Sequence, residues 1–323
     1  MIAKMPTFRH SIDIGGIAIP ELHSRPPREN DMRFITSVLF AMAALAQMPS
    51  AANADEIGAA IRDVPIFDAH MHYKEAAWAP YPVKTVIELM DRNGVAMALV
   101  SSTPDDGTIR LLEYAPARIV PEMRPYRDNA GSSNWTKSEG MLDYIRHRLE
   151  KFPHKGIGEF HVHTLDPTDR PLLKAIAQLA RTRQIPIHIH SDAAPVRLFF
   201  ELEPSLTIIW AHAGMTEPAA VVGAMFDRYR TLYADTSYRE HDILADDGSI
   251  APAWLDVIAR HSDRLMVGSD TWVNSQWDDY KELIDLNRRW LGKLPRETAE
   301  RIAYKNAARL FGRKVSRDLL GSR

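Results

Sequence analysis

Apolar positions in this chain recur in two periods, and the two periods alternate. From Val64 onward, short apolar runs of strand length are separated by stretches with helical spacing. Residues 65–69, 96–100, 118–121, 156–163, 185–190, 206–210, 232–234 and 265–267 read as strands. Helical patterns fall between them at 82–93, 171–182 and 252–261. Thr136 and Glu139 have capping-box spacing. Met141, Leu142, Ile145, Leu149 and Phe152 follow as one apolar helical face. Thr216-Glu217-Pro218 opens a further helix with a cap and a first-turn proline.

Strands alternating with helices eight times over predict a (β/α)8 TIM barrel. An open doubly wound sheet is the rival, but no glycine-rich phosphate loop follows the first strand. Two additional C-terminal helices close the chain at 276–290 and 296–311, the second stopped by Gly312. With no internal repeat or low-complexity linker, residues 64–312 read as one domain.

The N-terminal part breaks the alternation. Met32-Arg33-Phe34 precedes an apolar run over 35–48, shorter than the about 18–20 residues a membrane span needs. The run leads to Ala52-Asn53-Ala54, a small-residue cleavage pattern. We read 32–54 as a secretory signal peptide, cleaved before Asp55, and 1–31 as an over-extended N-terminus. An amphipathic surface helix over 35–47 is the alternative. The expectation is a periplasmic or secreted protein, with no membrane association after cleavage.

Composition narrows the chemistry. The chain has 323 residues, 45% hydrophobic, and a formal net charge of −2, which speaks against a nucleic-acid partner or a polybasic membrane surface. Cysteine is absent, which excludes disulfides, thiolate metal sites and a cysteine nucleophile. Any metal must be held by His, Asp or Glu.

The histidines sit where a barrel keeps its chemistry, at the C-terminal ends of the strands. Strand one ends in His70-Met71-His72, and the period of two puts both imidazoles on one face. Strand four carries Glu159, with His161 and His163 in the same phase. Strand five ends in His188-Ile189-His190, strand six in His212 and strand eight in Asp270. Any one of these reads as a hydrogen-bonded structural residue. Together, at one rim, they read as a metal site, because buried imidazoles and carboxylates are costly unless paired or metal-bound.

This constellation resembles the amidohydrolase superfamily of metal-dependent hydrolases. The closing segment Tyr304-Lys305-Asn306-Ala307-Ala308-Arg309-Leu310-Phe311-Gly312 is similar to the amidohydrolase-related (amidohydrolase 2) branch, which includes aminocarboxymuconate-semialdehyde decarboxylase and lactonases. The resemblance implies a divalent metal, zinc first, with manganese or iron as alternatives, as one ion or two. His70, His72, Asp270 and His190 would be ligands, and His212 a ligand or a catalytic residue. His188 would be a packed support. Glu159 would bridge two ions as a ligand, or else form a salt bridge to Arg124.

The implied reaction is hydrolysis of an amide, ester or lactone of a small molecule. Asp270 would be general base and His212 would stabilise an oxyanion or orient water. Substrate contacts are expected from loop residues Arg124, Trp135, Asp235, Arg239 and Trp272. Non-oxidative decarboxylation of an unsaturated or aromatic acid is the alternative, and a non-catalytic metal-binding barrel the third reading. A homo-oligomer is compatible with all of them.

Overall fold

The computed structural model describes residues 61–316 and Leu319. The signal peptide read at 32–54 and the segment 1–31 lie outside the described residues. Eight strands follow in chain order: β1 (Ile66–Met71), β2 (Val95–Ser101), β3 (Ile119–Glu122), β4 (Ile157–His161), β5 (Ile187–His190), β6 (Ile208–Trp210), β7 (Leu232–Asp235) and β8 (Leu265–Met266). All pairings are parallel between sequence neighbours. They form two runs, β1 to β3 and β4 to β8.

The runs join on both sides. Met123 N donates to Gly156 O at 3.0 Å and Gly158 N donates to Met123 O at 2.9 Å, linking β3 to β4. Ala69 N donates to Val267 O at 2.8 Å and Asp270 N to His70 O at 2.6 Å, closing β8 on β1. The result is the (β/α)8 barrel that the alternation predicts.

Two crossover helices, Asp106–Tyr114 and Ala193–Leu202, escape the sequence pattern. The first opens on Gly107-Thr108, both buried, which reads locally as a turn. The second buries Val196, Leu198, Phe199 and Phe200 and carries Pro195 in its first turn, so its polar face is reduced to Arg197 and Glu201. The helix expected from the Thr136/Glu139 pattern starts later. Trp135–Lys137 forms a single 3₁₀ turn, and Met141–Lys151 begins behind Gly140, whose φ is 68°. The closing segment holds a π-helical turn, Arg301–Lys305, between Arg296–Glu300 and Asn306–Leu310. Among the described residues no helix is long and apolar enough to cross a membrane.

Two apolar layers hold the barrel. One lies between strands and helices, with Ile66, Val95, Ile157, Ile187 and Ile208 in it. The other joins Phe67, Met97, Leu99, Val120, Ile209 and Met266. These come from strands on opposite sides, so they meet only inside the barrel. Phe311 stacks on Phe67 with centroids 6.0 Å apart, so the C-terminal helix covers this floor.

Candidate metal centre

Above the floor the same inward phase changes chemistry. On β3 it passes from Val120 to Glu122, on β5 it carries His188 and then His190, and on β7 it reaches Asp235. His70 and His72 stand at the end of β1, and both are buried. Gly158 and Gly268 permit this crowding. A Cβ on Gly268 would lie 2.6 Å from the His70 Cβ, and one on Gly158 only 2.2 Å from the His188 carbonyl oxygen.

His70 Nε2 and His72 Nε2 face each other at 3.1 Å. Asp270 Oδ1 lies 3.5 Å from the first and 3.0 Å from the second. His212 Nε2 is 3.7 Å from Asp270 Oδ2. The other nitrogen of each ring is committed. His70 Nδ1 donates to Asp235 Oδ2 at 3.2 Å, His72 Nδ1 to the Ser101 carbonyl at 2.5 Å, and His212 Nδ1 to the Ser237 carbonyl at 3.1 Å. All three partners are oxygens without a proton to give, so a neutral ring bonded this way keeps its lone pair on Nε2; Arg124 Nη1, a donor only, also lies 3.1 Å from His72 Nδ1. Two ring nitrogens at this distance are held by a shared proton or by a cation lying against both. Imidazole nitrogens joined by a carboxylate are the donor set that a divalent ion takes, so these residues fit one.

The electrostatics agree. Burial opposes protonation of His70, yet Asp235, Asp270 and Glu159 draw its pKa well above the ordinary imidazole value, a demand for positive charge at this point. Burial would raise Asp270, but His70 and His72 hold it at about 2. Asp270, His212, Met215 and Tyr238 all have left-handed φ, from 48° to 59°, so backbone strain gathers at the rim.

Glu159 reaches the same nitrogens, its Oε2 3.3 Å from His72 Nε2 and its Oε1 3.7 Å from His70 Nε2, and it is ionised and doubly engaged. Arg124 Nη2 donates to its Oε2 at 2.8 Å, and His190 Nδ1 meets Oε1 at 2.7 Å. Arg124 Nε also donates to the Glu159 carbonyl at 3.0 Å. His161 stacks on His190, centroids 4.1 Å apart, and burial pushes its pKa down to about 3. Beneath these groups His188 bridges two carboxylates, Nδ1 to Glu122 at 3.0 Å and Nε2 to Asp235 at 3.3 Å. Burial works against its charge, but the two carboxylates raise its pKa to about 9.

The site opens into a cavity of about 460 Å³, lined among others by Lys74, Arg124, Tyr126, Tyr238 and Trp272. Of the candidates for substrate contact, Arg124 and Trp272 border it, Trp272 with 54% exposure. Trp135 does not. It is 1% exposed, packs on Phe160 and donates its indole N–H to the His161 carbonyl at 2.8 Å. Arg239 also turns away, donating to the Ala213 and Glu217 carbonyls at 3.2 and 2.8 Å and pairing with Asp242. It braces the loop that carries His212. Asp235 lies below the rim rather than in a loop. Glu122 and Lys74 went unmarked in the sequence. Glu122 sits two residues beyond inward Val120, and Lys74 two beyond His72, so the period of two was the signal for both.

Barrel, strand-end ligands and cavity together define a metal-dependent hydrolase. The chain belongs to the amidohydrolase family, whose model matches residues 67–313. No curated protein matches it in sequence. Solved structures share the fold at low identity. A putative 2-pyrone-4,6-dicarboxylic acid hydrolase from Pseudomonas putida is 14% identical with a TM-score of 0.55, covering 78% of this chain and 99% of its own. The phosphotriesterase homology protein of Escherichia coli is 11% identical with a TM-score of 0.52, covering 77% and 99%. A lactonase from Listeria monocytogenes is 12% identical with a TM-score of 0.51, covering 79% and 96%.

Proposed function

We propose that this chain hydrolyses an ester, lactone or amide bond of a small molecule, using one divalent cation held by His70, His72 and Asp270 beside His212. The observation that carries the reading is the pair of imidazole Nε2 atoms 3.1 Å apart with Asp270 against both. The charge balance supports one ion. Arg124 neutralises Glu159, and the His188 imidazolium neutralises Glu122. Of the carboxylates that reach the His70 and His72 rings, Asp235 and Asp270 remain, and their two negative charges match one dication. Glu159 is then the salt-bridged wall of the site, its charge answered by the guanidinium. His190 is its hydrogen-bond partner.

When bound, the cation supplies Lewis acidity that lowers the pKa of a water and polarises the scissile carbonyl; zinc suits the donor set best. Asp270 takes the proton of the attacking water and passes it to the leaving oxygen or nitrogen as the acyl bond breaks. His212 has its Nδ1 proton committed to Ser237, so its bare Nε2 orients water as an acceptor and does not donate to an oxyanion. Lys74 borders the cavity and, among the described residues, has no acidic partner, so it suits an anionic group on the substrate. A cavity of about 460 Å³ admits one small molecule.

Metal analysis combined with turnover in ¹⁸O-labelled water tests this. About one ion per chain and label in the product acid are expected. Release of carbon dioxide without label would overturn hydrolysis in favour of decarboxylation. We further propose export through the 32–54 segment. Mass spectrometry should find a mature N-terminus at Asp55, and an intact Met1 in the purified native protein would refute it.

A further inference from the structure

A (β/α)8 interior is built in layers of four side chains from alternate strands, usually filled by branched apolar residues. In this barrel the odd strands fill one layer with His70, Glu122, His188 and Asp235, each 0–1% exposed. They form a continuous chain. Glu122 Oε2 meets His188 Nδ1 at 3.0 Å, His188 Nε2 meets Asp235 Oδ2 at 3.3 Å, and the same Oδ2 meets His70 Nδ1 at 3.2 Å. Asp235 is saturated with donors. Besides the two imidazoles it accepts from His212 N at 3.3 Å, from Ser237 N at 3.1 Å and from the Ser237 hydroxyl.

Four ionisable groups in place of four aliphatic ones cost a fold stability unless they serve a site. Their end point is informative. Asp235 reaches two of the residues at the metal centre, the His70 ring and the His212 backbone. It also orders Ser237, whose carbonyl takes the His212 Nδ1 proton.

We propose that Asp235 is a positioning residue of the metal centre, fixing the tautomer and orientation of His70 and the placement of His212, with the Glu122–His188 pair holding Asp235 in turn. This rests on the metal-centre reading above. A hydrogen-bonded carboxylate behind a ligand imidazole orients the ring and raises its basicity, and its loss weakens metal binding by about 10–100-fold. The chain of contacts adds a sharper expectation. Glu122 touches no metal-site residue directly in this chain of bonds, so its influence must pass through His188 and Asp235.

The test measures zinc affinity by chelator competition, and the visible spectrum with cobalt(II) as probe, for the wild type, Asp235→Asn, Glu122→Gln and the double variant. Asp235→Asn is expected to lose about 10–100-fold in affinity and to alter the cobalt spectrum. Glu122→Gln should lose less than Asp235→Asn, and should add nothing in the Asp235→Asn background, because sites acting through one partner are non-additive. Zinc affinity of Asp235→Asn within about twofold of wild type, or an undiminished Glu122→Gln penalty in the double variant, overturns the positioning role. If Asp235→Asn does not fold, Glu122→Gln decides alone: unchanged affinity and unchanged cobalt spectrum refute the proposal. A wild type that binds neither zinc nor cobalt instead fails the metal-centre reading itself.

Discussion

Two levels of one barrel interior, a single pleat apart, follow opposite rules. The floor holds Phe67, Met97, Leu99, Val120, Ile209 and Met266, apolar throughout and covered by Phe311. Above it, from β1, β3, β5 and β7, stand Glu122, His188, Asp235, His70 and His72, also buried and all ionisable. Burying apolar area stabilises the floor by roughly 25 cal/mol per Å². The upper level receives no such return, since each buried charge costs several kcal/mol unless it is paired. The pairing explains its composition: Arg124 answers Glu159 and His188 answers Glu122. The floor supplies stability, and the rim uses it to hold groups and left-handed backbone that would not persist alone.

The comparison predicts that damage at the two levels separates activity from stability. Asp270→Asn should lower kcat at saturating metal by about 10²–10⁴-fold, the range of a general base, and should also weaken metal binding, since a ligand carboxylate is lost. Asn tolerates the φ of 48° at this position. Near-wild-type turnover would remove Asp270 from the mechanism. Phe67→Ala should do the reverse. It empties a floor position with 0% exposure and should cost about 3–5 kcal/mol in chemical denaturation. The folded fraction should keep wild-type KM and metal content, and a raised KM would mean that the two levels are not separable.

How much of this was legible in the sequence follows the same division. Strand ends are local in sequence, so the His70-Met71-His72 pair and Asp270 could be placed at the rim from periodicity alone. The salt bridge between Arg124 and Glu159 was also one of two readings open to the sequence, since Arg124 falls just past β3 and Glu159 on the neighbouring β4. What was not legible is how a side chain turns after a strand. Trp135 and Arg239 follow β3 and β7 like good loop residues, yet both fold back to serve neighbouring carbonyls. The helix Ala193–Leu202 shows only Arg197 and Glu201 as a polar face because it is packed between neighbours, a property of the assembled barrel. The odd-strand layer was hidden because Glu122, His188 and Asp235 lie far apart in sequence and each looks ordinary alone.

A third variant asks whether the guanidinium stands in for a cation. Arg124→Met leaves Glu159 buried without its cationic partner, which should destabilise the apo protein by about 3–5 kcal/mol. Added divalent ion should then recover more stability than in wild type, with metal content rising above one ion per chain, because Glu159 becomes free to bind. A content that stays at the wild-type value at saturating metal would mean that Arg124 does not occupy a cation position.

The two tryptophans give the smallest and most selective contrast. Trp272 is exposed at the cavity mouth, and Trp135 is sealed behind β4 with its N–H on the His161 carbonyl. Trp272→Ala removes an aromatic face available for stacking, so it should raise KM by several-fold, about 1 kcal/mol, and leave thermal stability unchanged. Trp135→Phe keeps most of the packed volume and loses one buried hydrogen bond, about 1 kcal/mol of stability, with KM unchanged. The pair is informative because the energies are alike and only the readout differs. Should Trp135→Phe raise KM as much as Trp272→Ala, the wall behind β4 would belong to the substrate site, and the boundary between supporting layer and reacting rim would have to be drawn one residue deeper.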